Sequence, residues 1–326
     1  RMASFHANGF LREEAVRLLD GESGGDALPF LLLRCNDWVP AVQRRAQIAV
    51  ENRIDETHAS HFLRSHVLVE QLAAQKRNDL QSLHQRIKEL LRSRAAEPAR
   101  RAAFSDADRH VRRAAFVLSC EADDVDLRAV IVEGLKSGDL WVRVFSARTA
   151  RARLYGVALR EVLGQARGDR SVPVRREALL GFVEDHPELR QSLLDPCSSL
   201  REMVRFYLRR KANLDFAAIY RAELEQLSAS TNQSGLTSRL VTAIAGLGES
   251  GSANDADLVE MYTIDARPRV RRTALLALAR LDGENRLATL SAALSDDSPR
   301  VARTALHALG SRLVSIGESA LRRALE

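Results

Sequence analysis

Apolar positions in this chain recur every three or four residues. Val270, Ala274, Ala277, Leu278 and Leu281 form one such stripe, which lies along a single face of an α-helix. Asp282-Gly283 closes that pattern. Leu287, Leu290 and Leu294 then form a second stripe and predict a partner helix from Asn285 to Leu294. No segment shows the period-two alternation of a half-buried strand, and glycine and proline fall between the helical stretches. The pattern predicts helices joined by short turns throughout.

One phrase recurs: an Asp, four residues, then Val or Leu, usually followed by Arg. It stands at Asp37/Val42, Asp106/Val111-Arg112, Asp169/Val174-Arg175, Asp195/Leu200-Arg201, Asp265/Val270-Arg271 and Asp296/Val301. A shifted copy is Asp139-Leu140-Trp141-Val142-Arg143. The steps from Val111 to Val142 to Val174 are 31 and 32 residues, and Val270 to Val301 is 31. The 96 residues from Val174 to Val270 make three periods, so two degenerate units are expected, around Leu200–Val204 and around Leu240. The first has two open registers: Leu200-Arg201 fits the Asp spacing, and Val204-Arg205 fits the period. Pro40, Pro173, Pro268 and Pro299 stand near the helix starts, where a missing N–H leaves no intrahelical bond unmade. One helix pair per unit cannot bury its own apolar face, so the pairs must stack into a solenoid.

Residues 59–95 break the period. Leu63, Val67, Leu72, Leu80, Leu83, Ile87, Leu90 and Leu91 are spaced for two helices, the second amphipathic from about Asp79 to Ser93. The expected organisation is an N-terminal part, 1–95, of repeat-like units with this irregular elongated segment, followed by a regular array over 96–326.

The spaced Asp/Val-Arg phrase resembles the HEAT-repeat superfamily, in particular its short bacterial, phycobilin lyase-like type, over residues 26–59 and 98–326. The resemblance implies an all-α fold: a right-handed α-solenoid of about nine stacked antiparallel helix pairs. It also implies a ladder between neighbouring units, built here from Asp106, Asp169 and Asp265 with Arg112, Arg143, Arg175 and Arg271. Gln43 and Ala302 depart from the pattern, so the ladder is expected to break there. In this family the helix opening with Val-Arg lines the concave wall. That implies a partner-binding groove containing Arg113, Trp141, Arg148, Arg151, Arg176, Phe206, Arg209 and Arg272. Arginine and aromatic side chains are the usual hot spots of protein interfaces.

Composition narrows the function classes. Lys+Arg number 49 against 43 Asp+Glu, for a net charge of +6, and all but four of the basic residues are arginine. A high-GC codon bias accounts for this, and so does recognition of carboxylate or phosphate by the planar guanidinium. Acidic residues nearly balance the arginines, so no strong polyanion field is expected. Cys35, Cys120 and Cys197 are scattered, which excludes a disulfide framework or a CxxC metal site and suits a reducing cytoplasm. No apolar run is long enough to cross a bilayer, and Arg12, Glu13, Glu14, Arg17 and Asp20 leave no apolar core for a secretory leader.

Candidate chemistry is thin. Gly246-Leu247-Gly248-Glu249-Ser250-Gly251 matches GxGxxG, but a dinucleotide site needs a preceding strand; the glycines read as a helix stop after Ala245 and a loop. His58 and His61, near Glu56 and His66, share a helical face without a second pair of ligands. There is no Gly-x-Ser-x-Gly elbow. Ser137-Gly138-Asp139-Leu140-Trp141-Val142-Arg143 resembles one repeat of the HEAT-like alkylpurine DNA glycosylases, whose paired tryptophans have no counterpart here.

The expected function is therefore a non-catalytic protein-interaction scaffold or adaptor that grips another protein, needs no metal or cofactor, and touches no membrane. The alternatives are binding of a nucleic-acid backbone, as the glycosylase resemblance implies, and a phycobilin lyase-like enzyme or chaperone, as the repeat type implies.

Overall fold

The structure, a computed structural model, describes residues 1–74, 79–122, 125–210, 214–228 and 236–315. It divides into two compact units, Arg1–Ala178 and Leu179–Glu326. The first holds α1 (Gly9–Asp20), α2 (Leu28–Arg34), α3 (Pro40–Glu51), α4 (Ala59–Arg64), α5 (His66–Ala73), α6 (Gln81–Arg92), α7 (Glu97–Ala103), α8 (Arg109–Glu121), α9 (Leu127–Leu135), α10 (Leu140–Arg153) and α11 (Gly156–Arg167). The division falls inside α12 (Val172–Gly181). The second unit holds α13 (His186–Gln191), α14 (Ser198–Arg209), α15 (Phe216–Ser228), α16 (Leu236–Ser250), α17 (Ala256–Glu260), α18 (Pro268–Asp282), α19 (Leu287–Ala292) and α20 (Pro299–Leu309). Short 3-10 turns link several of them, and no strand occurs among the described residues.

Within the first unit α9 packs on both α8 and α10; within the second α16 packs on α15 and α18, and α18 on α20. Each long helix thus meets both its sequence neighbour and the next long helix, the connectivity of stacked helix pairs. The fold is the all-α repeat architecture that the apolar spacing predicts. The segment 59–95 forms α4, α5 and α6, with a break at Ser65, and Leu83, Ile87 and Leu91 of amphipathic α6 are buried.

The recurring phrase has a direct physical meaning. The Asp carboxylate accepts the backbone N–H two residues on, at 2.9 Å from Val39 to Asp37, 2.7 Å from Ser171 to Asp169 and 2.8 Å from Ser298 to Asp296. This Asx turn leads into a helix that begins three residues after the Asp, with proline in the first turn of α3, α18 and α20. The Val is buried. The following Arg folds back: Nη1 of Arg271 donates to the Asp265 carbonyl at 2.8 Å, and Nη1 of Arg175 donates to the Asp169 carbonyl at 3.0 Å. The rest of the guanidinium reaches the Asp of the next unit. Arg271 grips Asp296 through Nε at 2.7 Å and Nη2 at 2.8 Å, and Arg143 Nε lies 3.0 Å from Asp169. One side chain therefore closes its own loop and fastens the next.

Several expectations are corrected here. The array begins earlier than residue 26: Arg12 of α1 donates to the His6 and Ala7 carbonyls at 2.9 and 2.8 Å and holds Asp37 through Nε at 2.9 Å and Nη2 at 2.8 Å. His6 stands where the Asp should be, and a clamp on backbone carbonyls leaves no side-chain signature. The register near 200 is Leu200-Arg201, because Arg201 Nη1 donates to the Asp195 carbonyl at 2.7 Å. At the shifted copy, Asp139 is held by Arg113 at 2.9 and 3.1 Å, whereas Arg112 stands 3.7 Å away. Moving the Asp two residues toward the helix moves its partner one residue along α8. Asp265 takes its own Arg267, at 2.9 and 2.8 Å, since Val241 stands in α16 where the ladder arginine belongs. Asp106, after Gln43 and the irregular segment, has Arg64 at 3.9 Å as its one ion-pair partner among the described residues.

The ladder makes stability depend on acid. Hydrogen bonding from Arg113 holds the Asp139 carboxyl below its usual range, and Arg271 does the same for Asp296. Their contribution is fully present above the unfolded value, about 3.9, and fades as pH falls through the lower folded values, at about 1.4 kcal/mol per pH unit between the two. The melting temperature should therefore drop between pH 5 and pH 2.5. Replacing Asp139 and Asp296 by Asn should lower it at pH 7 and flatten that dependence. An equally steep profile in the double variant would place the acid sensitivity elsewhere.

Candidate functional site

In the first unit the expected groove residues gather on α8, α10 and α12. Trp141 is 41% exposed and stacks on Phe145, with ring centroids 5.2 Å apart and planes 5° apart. The Arg113 guanidinium lies 5.4 Å from the Trp141 ring centre while it holds Asp139. Arg113 is thus a ladder residue that also supports an aromatic face. The same device recurs at the start of the chain, where Arg12 lies 4.6 Å from the centre of the Trp38 ring. Both tryptophans of the chain rest on a ladder arginine.

Farther along α10, Arg148 and Arg151 converge on one carboxylate, Glu177 of α12, at 2.9 and 3.1 Å. Glu177 is buried and the two arginines half-cover it. Arg176 beside it is exposed and has no ion-pair partner among the described residues. Glu177 was not marked by the sequence reading. It lies three residues after Val174, where the units at Val42, Val111, Val142, Leu200, Val270 and Val301 carry Arg, Ala, Phe, Met, Thr and Thr, so a carboxylate at that register was the available signal.

In the second unit Phe206 and Arg209 line a groove of about 550 Å³ between α14, α16 and α18. Ser198, Glu202, Arg205, Gly248, Glu249 and Arg280 complete its walls. Its floor is an ionic network. Arg201 and Arg205 are both buried, and both hold Glu249: Arg201 through Nε at 3.1 Å and a shorter Nη2 contact, and Arg205 through Nη2 at 2.9 Å. Arg205 also donates to the Tyr220 hydroxyl at 3.3 Å, which donates to the Leu193 carbonyl at 2.9 Å. Burial pushes the Tyr220 phenol up, so it stays neutral. Arg209 and Phe206 face outward; Arg209 lies 5.5 Å from the Phe216 ring centre and Arg210 lies 5.8 Å from that of Phe206. Arg272 is exposed on α18 and bonds Thr304 at 3.0 Å.

The glycine-rich stretch is not a helix stop. Gly246 and Gly248 lie inside α16, which runs to Ser250. A Cβ at Gly246 would sit 2.2 Å from the Tyr220 ring, and one at Gly248 would sit 2.4 Å from the Ala277 Cβ and 2.6 Å from its Cα. The glycines let α15 and α18 approach α16, which a phosphate loop would not require.

His58 Nδ1 lies 2.8 Å from Asp55, and His61 packs against Gly25. Among the described residues no three His, Cys, Asp or Glu side chains are grouped to hold a metal ion. Burial pushes the Cys35 thiol up to about 12 and the Cys120 thiol up to about 11, so neither is a thiolate nucleophile at neutral pH. No helix among the described residues is long and apolar enough to cross a membrane.

These features define an all-α repeat protein whose exposed chemistry is arginine with aromatic rings. Residues 240–310 and 255–326 match the family model for HEAT repeats, so the chain carries HEAT repeats over this region. No curated protein matches the chain.

The close approach at α16 predicts that Gly248→Val lowers stability by about 2 kcal/mol or more, because backbone atoms of α18 cannot yield. Gly138→Ala, with open space around it and no positive φ, should leave the melting temperature within about one degree. Equal effects would show that α16 and α18 are not in close contact.

Proposed function

We propose that the protein is a non-catalytic scaffold that holds a partner protein against arginine and aromatic faces of its repeat helices. The observation that carries the reading is the Trp141–Phe145 stack on Arg113; Arg176 on α12 is a further exposed arginine of the same compact unit. A half-exposed aromatic platform held by a paired guanidinium keeps its geometry without a ligand, which lowers the ordering cost of binding. In the second unit exposed Phe206 has Arg210 5.8 Å from its ring centre, with Arg209 exposed on the same helix. Three free cysteines, two of them buried, agree with a reducing, cytoplasmic setting.

A second reading, contact with a nucleic-acid backbone, has its own support. Arg176, Arg209, Arg269, Arg300 and Arg303 are exposed and have no ion-pair partner among the described residues. Backbone binding would show as affinity that falls steeply with salt.

The choice of test follows from the geometry. Reversing Arg148 or Arg151 would set carboxylates around buried Glu177, so those variants would confuse unfolding with lost binding. Trp141→Ala with Arg176→Glu removes the platform and leaves Glu177 paired. Proteins captured from lysate by the wild type and by this variant are compared by quantitative mass spectrometry, with anisotropy of labelled DNA and RNA at about 50 and 200 mM salt. The scaffold reading expects a partner depleted about fivefold or more by the variant, with an unchanged melting temperature. Unchanged capture together with tight, salt-sensitive nucleic-acid binding would replace it by the second reading.

A further inference from the structure

The ladder breaks between α14 and α16. Arg201 meets no ladder aspartate, because the sequence holds none between Asp215 and Asp255. It turns instead to Glu249, next to the last residue of α16 and 48 positions away, where the intact links span 25 or 26. A second guanidinium, Arg205, is drawn to the same carboxylate; at that register other units carry Gln47, Phe116, Ala147, Leu179, Leu275 and Leu306, none of them charged. Two buried arginines thus share one glutamate whose side chain is 10% exposed, and Arg280 stands 4.0 Å from it. Above this positive floor open the walls of the groove, lined by exposed Arg209 and Arg280 and by Phe206, which is 54% exposed.

We propose that this groove receives an acidic peptide segment of a partner protein, with carboxylates on Arg209 and Arg280 and an apolar side chain against Phe206. The inference rests on the protein-binding reading and names the partner chemistry of one of its faces. Charge complementarity sets the occupant: the floor carries more guanidinium than carboxylate, and a planar guanidinium pairs bidentately with a carboxylate. The acidic wall residues decide between polyanions. Glu202 is exposed on the same wall, so a continuous phosphate backbone would meet a like charge there. A peptide places its carboxylates one by one and fills the remaining contact with apolar atoms. Phe206, with Arg210 near its ring, offers that contact.

The test pans a phage-displayed library of random peptides, about twelve residues long, on the wild-type protein, with counter-selection on Arg209→Gln/Arg280→Gln. Both side chains are exposed and Glu249 keeps Arg201 and Arg205, so the double variant should melt with the wild type. The enriched peptides are then measured by fluorescence anisotropy. The expected result is enrichment of peptides with several Asp or Glu and an aromatic or aliphatic residue. They should bind the double variant at least about tenfold more weakly, and the Trp141→Ala/Arg176→Glu protein as tightly as wild type. No enrichment, enrichment of peptides without acidic residues, equal binding to the double variant, or displacement by a single-stranded DNA of equal charge would each overturn the proposal. If partner capture in lysate survives in the double variant but fails in the Trp141/Arg176 variant, the scaffold reading stands and only this groove is excluded.

Discussion

Everything in this fold hangs on a guanidinium that is asked to do two things at once. Arg12, Arg143 and Arg271 each satisfy carbonyls of the loop that precedes their own helix and also hold a carboxylate in the loop of the next repeat. A backbone carbonyl left unpaired beside a buried loop, or a carboxylate left without its cation, would cost about 1–3 kcal/mol or more. The arginine removes both costs with one side chain. The constraint also sets the spacing: the side chain can close its own loop and reach the next only if the Asp comes 25 or 26 residues later, as at Arg12/Asp37, Arg143/Asp169 and Arg271/Asp296. Where a partner is missing the charge is not left alone. Asp139 takes Arg113, Asp265 takes Arg267, and Arg201 takes Glu249. Each substitution bends the local geometry, and the largest of them, at Glu249, is where the groove of the second unit opens.

The same economy shapes the exposed surface. A ladder arginine that is paired and rigid makes a good support for a tryptophan, and Trp38 and Trp141 both use one. The aromatic rings that a partner would meet are therefore held in place by the interaction that holds the stack together. Arg148 and Arg151, which look like free groove cations in the sequence, are committed to Glu177. The surface that remains open to a partner is smaller and more aromatic than a count of arginines suggests.

How much of this was legible in the sequence depended on whether the signal was local. Asp, four residues and Val-Arg is one turn followed by one helical start, so its side-chain identities are written within six positions. The helix pairs, the repeat length and most ladder members followed from it. The first link was invisible because Arg12 clamps the carbonyls of His6 and Ala7, which any residue can supply. Gly246 and Gly248 looked like a stop because a helix interior disfavours glycine; only the ring of Tyr220 and the backbone of Ala277, far away in sequence, explain them. Glu177 and Glu249 escaped for the same reason: their partners lie 26 to 48 residues away. Of the groove residues, Trp141, Phe206, Arg176 and Arg209 are exposed, while the roles of Arg113, Arg148 and Arg151 are set by carboxylates that the repeated phrase does not reveal.

The central claim is that the stack is fastened by arginine reaching from one unit to the next. A double-mutant cycle on Arg12 and Asp37, each side chain 2% exposed, tests it directly, with Arg17 and Glu14, half-exposed on one face of α1, as the reference pair. Chemical denaturation of the wild type, Arg12→Ala, Asp37→Ala and the double variant should give a coupling energy of about 2 kcal/mol between Arg12 and Asp37. The reference pair should show no measurable coupling. Additive effects at Arg12 and Asp37, no different from the surface pair, would mean that apolar packing alone holds the units together and that the ladder is decoration.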